Sequence, residues 1–334
     1  MKKLGFLILC CLQFSCNSQV VEKMNGVSFV AAGDSISQHH IDPILRVNAN
    51  AAAVMPFGFI RDIKTPGIIF NTDRQWFGET KAGTKQYIEQ LHKNGIRVML
   101  KPQIWISRGE FTGGLKMETE EDWKILEKTY RDFIITYAEA AQEVQCEVFC
   151  IGTELEQFVK NRPAFWNKLI KEVRAIYKGK LTYAANWDEY PRVPFWAAID
   201  YIGIDAYFPL SEEKQPTLEQ LKAGWQPHKV KIKELSDAVE KPVLFTEYGY
   251  RSMDYNAHKP WLVDRTKEDV NLEAQVNATQ VILEEFWNED WFAGGFIWKW
   301  FINHNEVGGE NNHQFTPQNK PAEKLIQKVF REAN

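Results

Sequence analysis

The chain has 334 residues, 44% hydrophobic and 25% charged; this is the balance of a globular protein and excludes a disordered or fibrous one. Its formal net charge is −4, and losing Lys2 and Lys3 with a leader would take it to about −6. An acidic chain with no run of Lys or Arg has no face to attract phosphate backbones, so nucleic acid is excluded as a partner.

The N-terminus reads Met1-Lys2-Lys3, then the apolar run 4–12, then Gln13-Phe14-Ser15-Cys16. Positive charge before a short apolar segment is the pattern of a secretory signal, too short to span a bilayer as a helix. A small residue directly before Cys16 marks a lipoprotein cleavage site. Residues 1–20 therefore read as a signal peptide with Cys16 as the acylated residue. The expected location is the cell envelope, in the periplasm or at the cell surface, with the lipid anchor as the sole membrane contact. Five cysteines fall at 10, 11, 16, 146 and 150. Cys146 and Cys150 flank a strand, which holds their α-carbons roughly 13 Å apart, beyond disulfide reach. They read as buried apolar residues.

Beyond the leader, short apolar runs alternate with long amphipathic stretches. The runs are 27–32, 51–60, 97–106, 147–153, 181–187, 201–207, 242–248 and 293–300. Helical patterns occupy 84–94, 120–145, 164–177, 218–239 and 268–288. Gly95 and Gly179 stand where C-cap glycines belong, and Thr119 with Asp122 forms a capping box. Strands that are apolar throughout need cover on both faces, and alternation with helices implies parallel strands. Eight such units predict an α/β fold, a single (β/α)8 barrel over 21–334, with no linker or repeat to divide it. Neither the helix 120–145 nor the tail after Pro317 shows a heptad seam, so a monomer is expected.

In such a barrel catalytic side chains sit at the C-terminal ends of strands. Glu154 ends the fourth apolar run and Glu247 the seventh. Two carboxylates facing each other across the mouth are what glycoside hydrolysis needs: one acid to protonate the leaving oxygen, one carboxylate to attack the anomeric carbon. Asp205 ends the sixth run and is placed to bind a hydroxyl or hold a neighbour. Glu156 shares the parity of Glu154 but falls past the rim, as a loop residue or supporting partner. Trp105, Trp187, Trp298 and Trp300 lie at strand ends with Tyr207, Tyr248 and Tyr250 nearby, and flat aromatic faces complement pyranose rings. Asn186, Lys101, Gln103 and Arg251 supply polar partners for the ring edges. The seven histidines include no HExxH and no HxH at a strand end, and no GxSxG elbow or phosphate loop is present. The chemistry calls for no metal and no cofactor.

At these residues the chain resembles the β-mannanases of glycoside hydrolase family 113, in the large clan of retaining (β/α)8 barrels. The matching segments are Ala53-Val54-Met55-Pro56-Phe57, Val98-Met99-Leu100-Lys101-Pro102 and Ile151-Gly152-Thr153-Glu154-Leu155, followed by 181–187, 201–209 and 242–252. The resemblance covers about residues 27 to 305, and GTEL with FTEYGY are its most specific parts. It implies a retaining mechanism, with Glu154 in the acid/base position and Glu247 in the nucleophile position. Tyr207, Asn186 and Trp298 would line the subsite of the sugar being attacked. Gly58 stands where an aromatic is common and Gln103 where a His is common, both expected near the substrate groove. Thr153 replaces the Asn that precedes the acid in most of the clan. The implied substrate is a β-1,4-linked mannan-type polysaccharide or oligosaccharide. Exo action, a β-linked glucosamine or glucan substrate, and a non-catalytic glycan-binding lipoprotein stay open.

Overall fold

A computed structural model describes residues 23–262 and 269–333. The leader at 1–20 and Cys16 lie outside the described residues.

Among the described residues ten strands run in chain order: β1 (Met24–Phe29), β2 (Ala51–Val54), β3 (Phe57–Ile60), β4 (Arg97–Leu100), β5 (Gln103–Ile106), β6 (Val148–Thr153), β7 (Lys180–Asn186), β8 (Ile202–Ala206), β9 (Val243–Tyr248) and β10 (Phe292–Trp300). The helices are α1 (Gln38–Arg46), α2 (Lys81–Lys93), α3 (Glu120–Glu143), α4 (Glu156–Asn161), α5 (Pro163–Ile176), α6 (Leu218–Val239), α7 (Leu272–Phe286) and α8 (Pro321–Ala333). Eight strands close in the order β1-β10-β9-β8-β7-β6-β4-β2, all parallel, and β3 pairs with β5 in a separate two-stranded sheet. The chain is the single (β/α)8 barrel that the sequence predicts.

Two of the predicted strands are interrupted. The runs 51–60 and 97–106 each break into a barrel strand and an upper strand, at Met55-Pro56 and Lys101-Pro102. Proline has no N–H to give the ladder, so strands end at it. The upper strands β3 and β5 then pair with each other above the barrel rim. Pairing carries on through the break, with Lys101 N–H donating to Val54 O and Gln103 N–H to Pro56 O.

Inside the barrel Met24, Ala51, Ala53, Met99, Val148, Leu244, Ala293 and Phe296 pack as one small cluster. The larger core lies between the barrel and its helices. The alternation is sharp because each strand sends one parity inward and the other toward the helices. Cys146 and Cys150 are buried free thiols, as expected.

The helix ends agree in part. Gly95, at φ +72°, follows Asn94 at the end of α2 in the left-handed conformation that glycine adopts without penalty. Gly179 lies beyond the end of α5 for a different reason. A Cβ there would sit 2.2 Å from the Tyr177 hydroxyl, so close packing rather than capping requires it. At α3 the Thr119 hydroxyl accepts from Asp122 N–H at 3.1 Å, but the Asp122 carboxylate returns to the Thr119 hydroxyl rather than its amide. Helices α1, α4 and α8 have no counterpart in the sequence reading. α1 and α4 are short, at 9 and 6 residues, and packing rather than a long periodic pattern holds them.

Candidate active site

Glu154 follows β6, the fourth barrel strand, and Glu247 lies in β9, the seventh, with β7 and β8 between them. Both strands carry a bulge just before their acid. In β6 the register with β7 slips between Cys150 and Thr153, and in β9 the register with β8 slips between Phe245 and Glu247. An extra residue on one strand re-aims the side chains that follow. In β9 it lets Thr246 and Glu247, adjacent in sequence, both reach the barrel interior. The Thr246 hydroxyl donates to Asp205 at 2.7 Å, and Glu247 receives its own partners beside it.

Glu247 is 6% exposed and accepts three hydrogen bonds. Lys101 Nζ donates to Oε1 at 2.5 Å, Gln103 Nε2 to Oε1 at 2.8 Å and the Tyr207 hydroxyl to Oε2 at 2.7 Å. Three donors, one of them cationic, solvate a charged carboxylate and fix its direction. Lys101 is fully buried and also donates to both oxygens of Asp205 at 3.2 Å. Burial pulls the Lys101 ammonium down, but Asp205 and Glu247 outweigh it and hold it above its ordinary value. Asp205 is pushed up to about 7, first by burial and then by the Glu247 charge, against the pull of Lys101 and Thr246. Tyr207 is held by Phe315, whose ring meets its own edge-on at 5.8 Å.

Glu154 has a different environment. Burial, then the charges of Asp205 and Glu247, push its carboxyl well above the ordinary range. Its backbone is left-handed at φ +50°, a conformation that costs a non-glycine residue about 1–3 kcal/mol and must be held by its surroundings. The residue is pinned on both sides. Glu154 N–H donates to Ala184 O at 2.8 Å, and the next amide, Leu155 N–H, donates to the Tyr183 hydroxyl at 2.7 Å. Behind the strand stands a wall of rings from Tyr130, Phe158, Trp166, Tyr183 and Phe195. The wall presses so close that a Cβ on Gly152 would sit 2.7 Å from Tyr130 Oη and 2.8 Å from Trp166.

Glu189 completes that support and has no signal in the sequence, because it lies in the loop after β7. It is 1% exposed, accepts from the Tyr183 hydroxyl at 2.6 Å and accepts from Asn186 N–H at 3.0 Å. Burial pushes it up to about 7 despite both donors. Between its ordinary 4.5 and about 7 the unfolded chain has released this proton while the folded chain still holds it. Stability therefore falls as pH rises through that window, by on the order of 3 kcal/mol for this group, and is flat above it. Asp205 adds to the same trend. Glu189→Gln is expected to shrink the drop in Tm between pH 5 and pH 8; an unchanged drop would show that Glu189 does not titrate there.

The other expected site residues divide. Gln103, Lys101, Asp205 and Tyr207 meet at Glu247. Asn186 is opposite Asp205 in the ladder, and its side-chain amide donates to Asp188 at 2.9 Å at the rim. Trp298 is half-buried with the Lys299 ammonium 5.6 Å from its ring, and Lys299 in turn feels the Glu247 charge. Trp105 is 50% exposed on β5. Tyr248 does not line the groove. It follows Glu247 on the opposite face of β9, is fully buried, and packs edge-on against Trp287 at 5.4 Å under the helices. Tyr250 and Trp300 are likewise core residues, the first donating to Phe208 O at 3.1 Å. Arg251 is buried and stacks on Phe315 rather than reaching the carboxylates. Glu156 forms an ion pair with Arg192 in the first turn of α4. Gly58 faces away from the mouth, where a Cβ would meet Ile68, Ile104 and Phe133, so its departure from the family pattern concerns packing.

The sequence profile of Glycoside Hydrolase Family 113 matches residues 34–320. The chain belongs to this family. It is thus a glycoside hydrolase by descent, and the carboxylate pair at the mouth is the feature of the fold that suits that chemistry. A family 113 β-mannanase from Alicyclobacillus acidocaldarius, solved in complex with ManMIm, superposes with a TM-score of 0.81 at 24% identity, over 93% of this chain and 98% of that one. A second family 113 β-1,4-mannanase gives 0.80 at 21% identity, over 93% and 99%. A β-glucuronidase from Faecalibacterium prausnitzii gives 0.59 at 15%, over 91% of this chain and 48% of that one. These likenesses establish the fold. A search of curated protein sequences finds no match.

Proposed function

We propose that this family 113 member is a retaining, endo-acting β-1,4-mannanase with Glu247 as nucleophile and Glu154 as acid/base. The observation that carries the reading is the contrast between two neighbouring carboxyls. Glu247 is wrapped by three donors, whereas Glu154 is held protonated by burial and by the negative charge beside it. Environments that set two carboxyls apart are what divide the roles of acid and nucleophile.

In the first step Glu154 gives its proton to the glycosidic oxygen, the bond from that oxygen to the anomeric carbon breaks, and a Glu247 oxygen bonds to the carbon. Forming the glycosyl ester removes the charge on Glu247, and with it one of the forces that keep Glu154 protonated. Glu154 is then able to take a proton from water, whose oxygen displaces Glu247. Lys101 and Tyr207 keep the Glu247 oxygens in place throughout, and no step draws on a metal or cofactor. Family membership supports a glycoside substrate. The choice of mannan rests on the family and on the mannanases that share the fold, and Gln103 on the nucleophile is the residue placed to alter sugar preference.

The test is digestion of β-mannan, β-glucan and chitosan by the purified protein, with Glu154→Gln as control. Release of short manno-oligosaccharides, lost in the control, is the expected result. Monosaccharide release alone would replace endo with exo action, and cleavage confined to β-glucan or chitosan would overturn the mannan assignment.

A further inference from the structure

The two-stranded sheet above the rim has two unlike faces. Its parallel register places Phe57 beside Gln103 and Phe59 beside Trp105, and an antiparallel bridge sets Ile69 beside Phe59. Residues paired in a ladder share a face, so Phe57, Phe59, Ile69, Gln103 and Trp105 lie on one side. The other side carries Gly58, Ile60, Ile104 and Ile106, all buried against the core. The first face is not spent on packing. Trp105 is 50% exposed, Ile69 54%, and Phe57 and Phe59 are half-buried, with their rings 6.5 Å apart.

This face is continuous with the catalytic mouth. Gln103 belongs to it and donates to Glu247 at 2.8 Å. Two residues along β5, about 7 Å further out, Trp105 presents its indole. The neighbouring strand, about 5 Å to the side, adds Phe59. The result is an aromatic shelf that begins at the nucleophile and runs outward. An exposed apolar patch of this kind marks a binding surface, and one whose inner end is a hydrogen-bond donor on a catalytic carboxylate meets the substrate first. A polymer held at the two carboxyls must leave the mouth along its length, and flat rings suit the C–H faces of its sugars while leaving their hydroxyls in water.

We infer that the β3/β5 face is an additional glycan subsite, in which Trp105 and Phe59 stack on pyranose units of the chain beyond the one at the reaction centre. It rests on the glycan reading above and assigns to the sheet the role of engaging polymer rather than performing chemistry.

The experiment compares Trp105→Ala and Trp105→Phe with wild type on β-mannan and on an aryl β-mannoside too short to reach the sheet. Losing one stacked indole is expected to lower the polymer-to-aryl-glycoside ratio of kcat/KM about tenfold or more, with Trp105→Phe restoring much of it. A ratio within twofold of wild type overturns the inference, as does an equal loss on both substrates, which would mean that Trp105 only positions Gln103. A second readout needs no turnover. Glu154→Gln, with and without Trp105→Ala, is run through gels containing β-mannan, β-glucan or chitosan. Retardation by one glycan, abolished by Trp105→Ala, supports the subsite even if wild type cleaves none of them, in which case the hydrolytic reading alone fails. Cleavage by wild type with no effect of Trp105→Ala in either assay removes the subsite and leaves the hydrolytic reading intact. Absence of retardation in all three gels together with absence of cleavage overturns both.

Discussion

Replacing Glu247 with alanine is expected to lower kcat on β-mannan by about four orders of magnitude or more, the scale seen when a covalent nucleophile is removed. Among the described residues no neighbour is placed to take over. Asp205 is the nearest carboxylate in chemistry, but both its oxygens receive Lys101 and one of them also receives Thr246. The variant also tells the mechanism. In a retaining enzyme the cavity left by Glu247→Ala admits azide, which attacks the anomeric carbon from the nucleophile's side while Glu154 protonates the departing oxygen, giving the α-glycosyl azide from an activated β-glycoside. Turnover above a few percent of wild type without azide would sink the assignment of Glu247.

The second large effect is expected from Lys101→Met. Lys101 is wholly buried and touches Asp205 and Glu247 together, so two carboxylates depend on one cation. Removing one partner of a buried ion pair typically costs about 3–5 kcal/mol, because the remaining charge is left without compensation. Asp205 then relieves its contact with the Glu247 charge by taking up a proton. Asp205 already stands at about 7 with Lys101 present. Losing the cation raises Asp205 further, so the variant's stability falls more steeply than wild type's as pH rises, and it is closest to wild type in acid. Activity is expected to drop at least about a thousandfold at neutral pH. What remains should move to higher pH, where Asp205 regains its charge, until Glu154 loses its proton. Activity within tenfold of wild type, with an unshifted pH profile, would mean that Lys101 does not sustain the nucleophile.

Much of this site is legible in the chain because barrel chemistry has an address. A run of apolar residues ending in Glu, twice, at the fourth and seventh of eight units, places Glu154 and Glu247 before any coordinates are considered. Lys101, Gln103 and Asp205 are legible for the same reason, each lying within three residues of the end of a buried strand. Parity is where the reading fails. Strict alternation about Glu247 puts both Thr246 and Tyr248 on the helix side; Tyr248 is there, against Trp287, but the bulge in β9 turns Thr246 inward. A bulge arises from how two strands share a ladder, and one strand's sequence does not report it.

What the sequence by itself determined is the fold and the position of the two carboxylates, because hydrophobic period and strand-end position are local properties, and the resemblance of segments such as GTEL and FTEYGY pointed to the family. What only the tertiary structure decided is how those carboxylates are governed. The left-handed turn at Glu154, the support from Tyr183 and Glu189, and the Lys101 ammonium between Asp205 and Glu247 join residues on or just beyond β4, β6, β7, β8 and β9. The aromatic shelf likewise exists only because two prolines end barrel strands and let the upper segments pair. Burial and Coulomb forces act through space, so a carboxyl's proton affinity is set by neighbours that lie far from it along the chain.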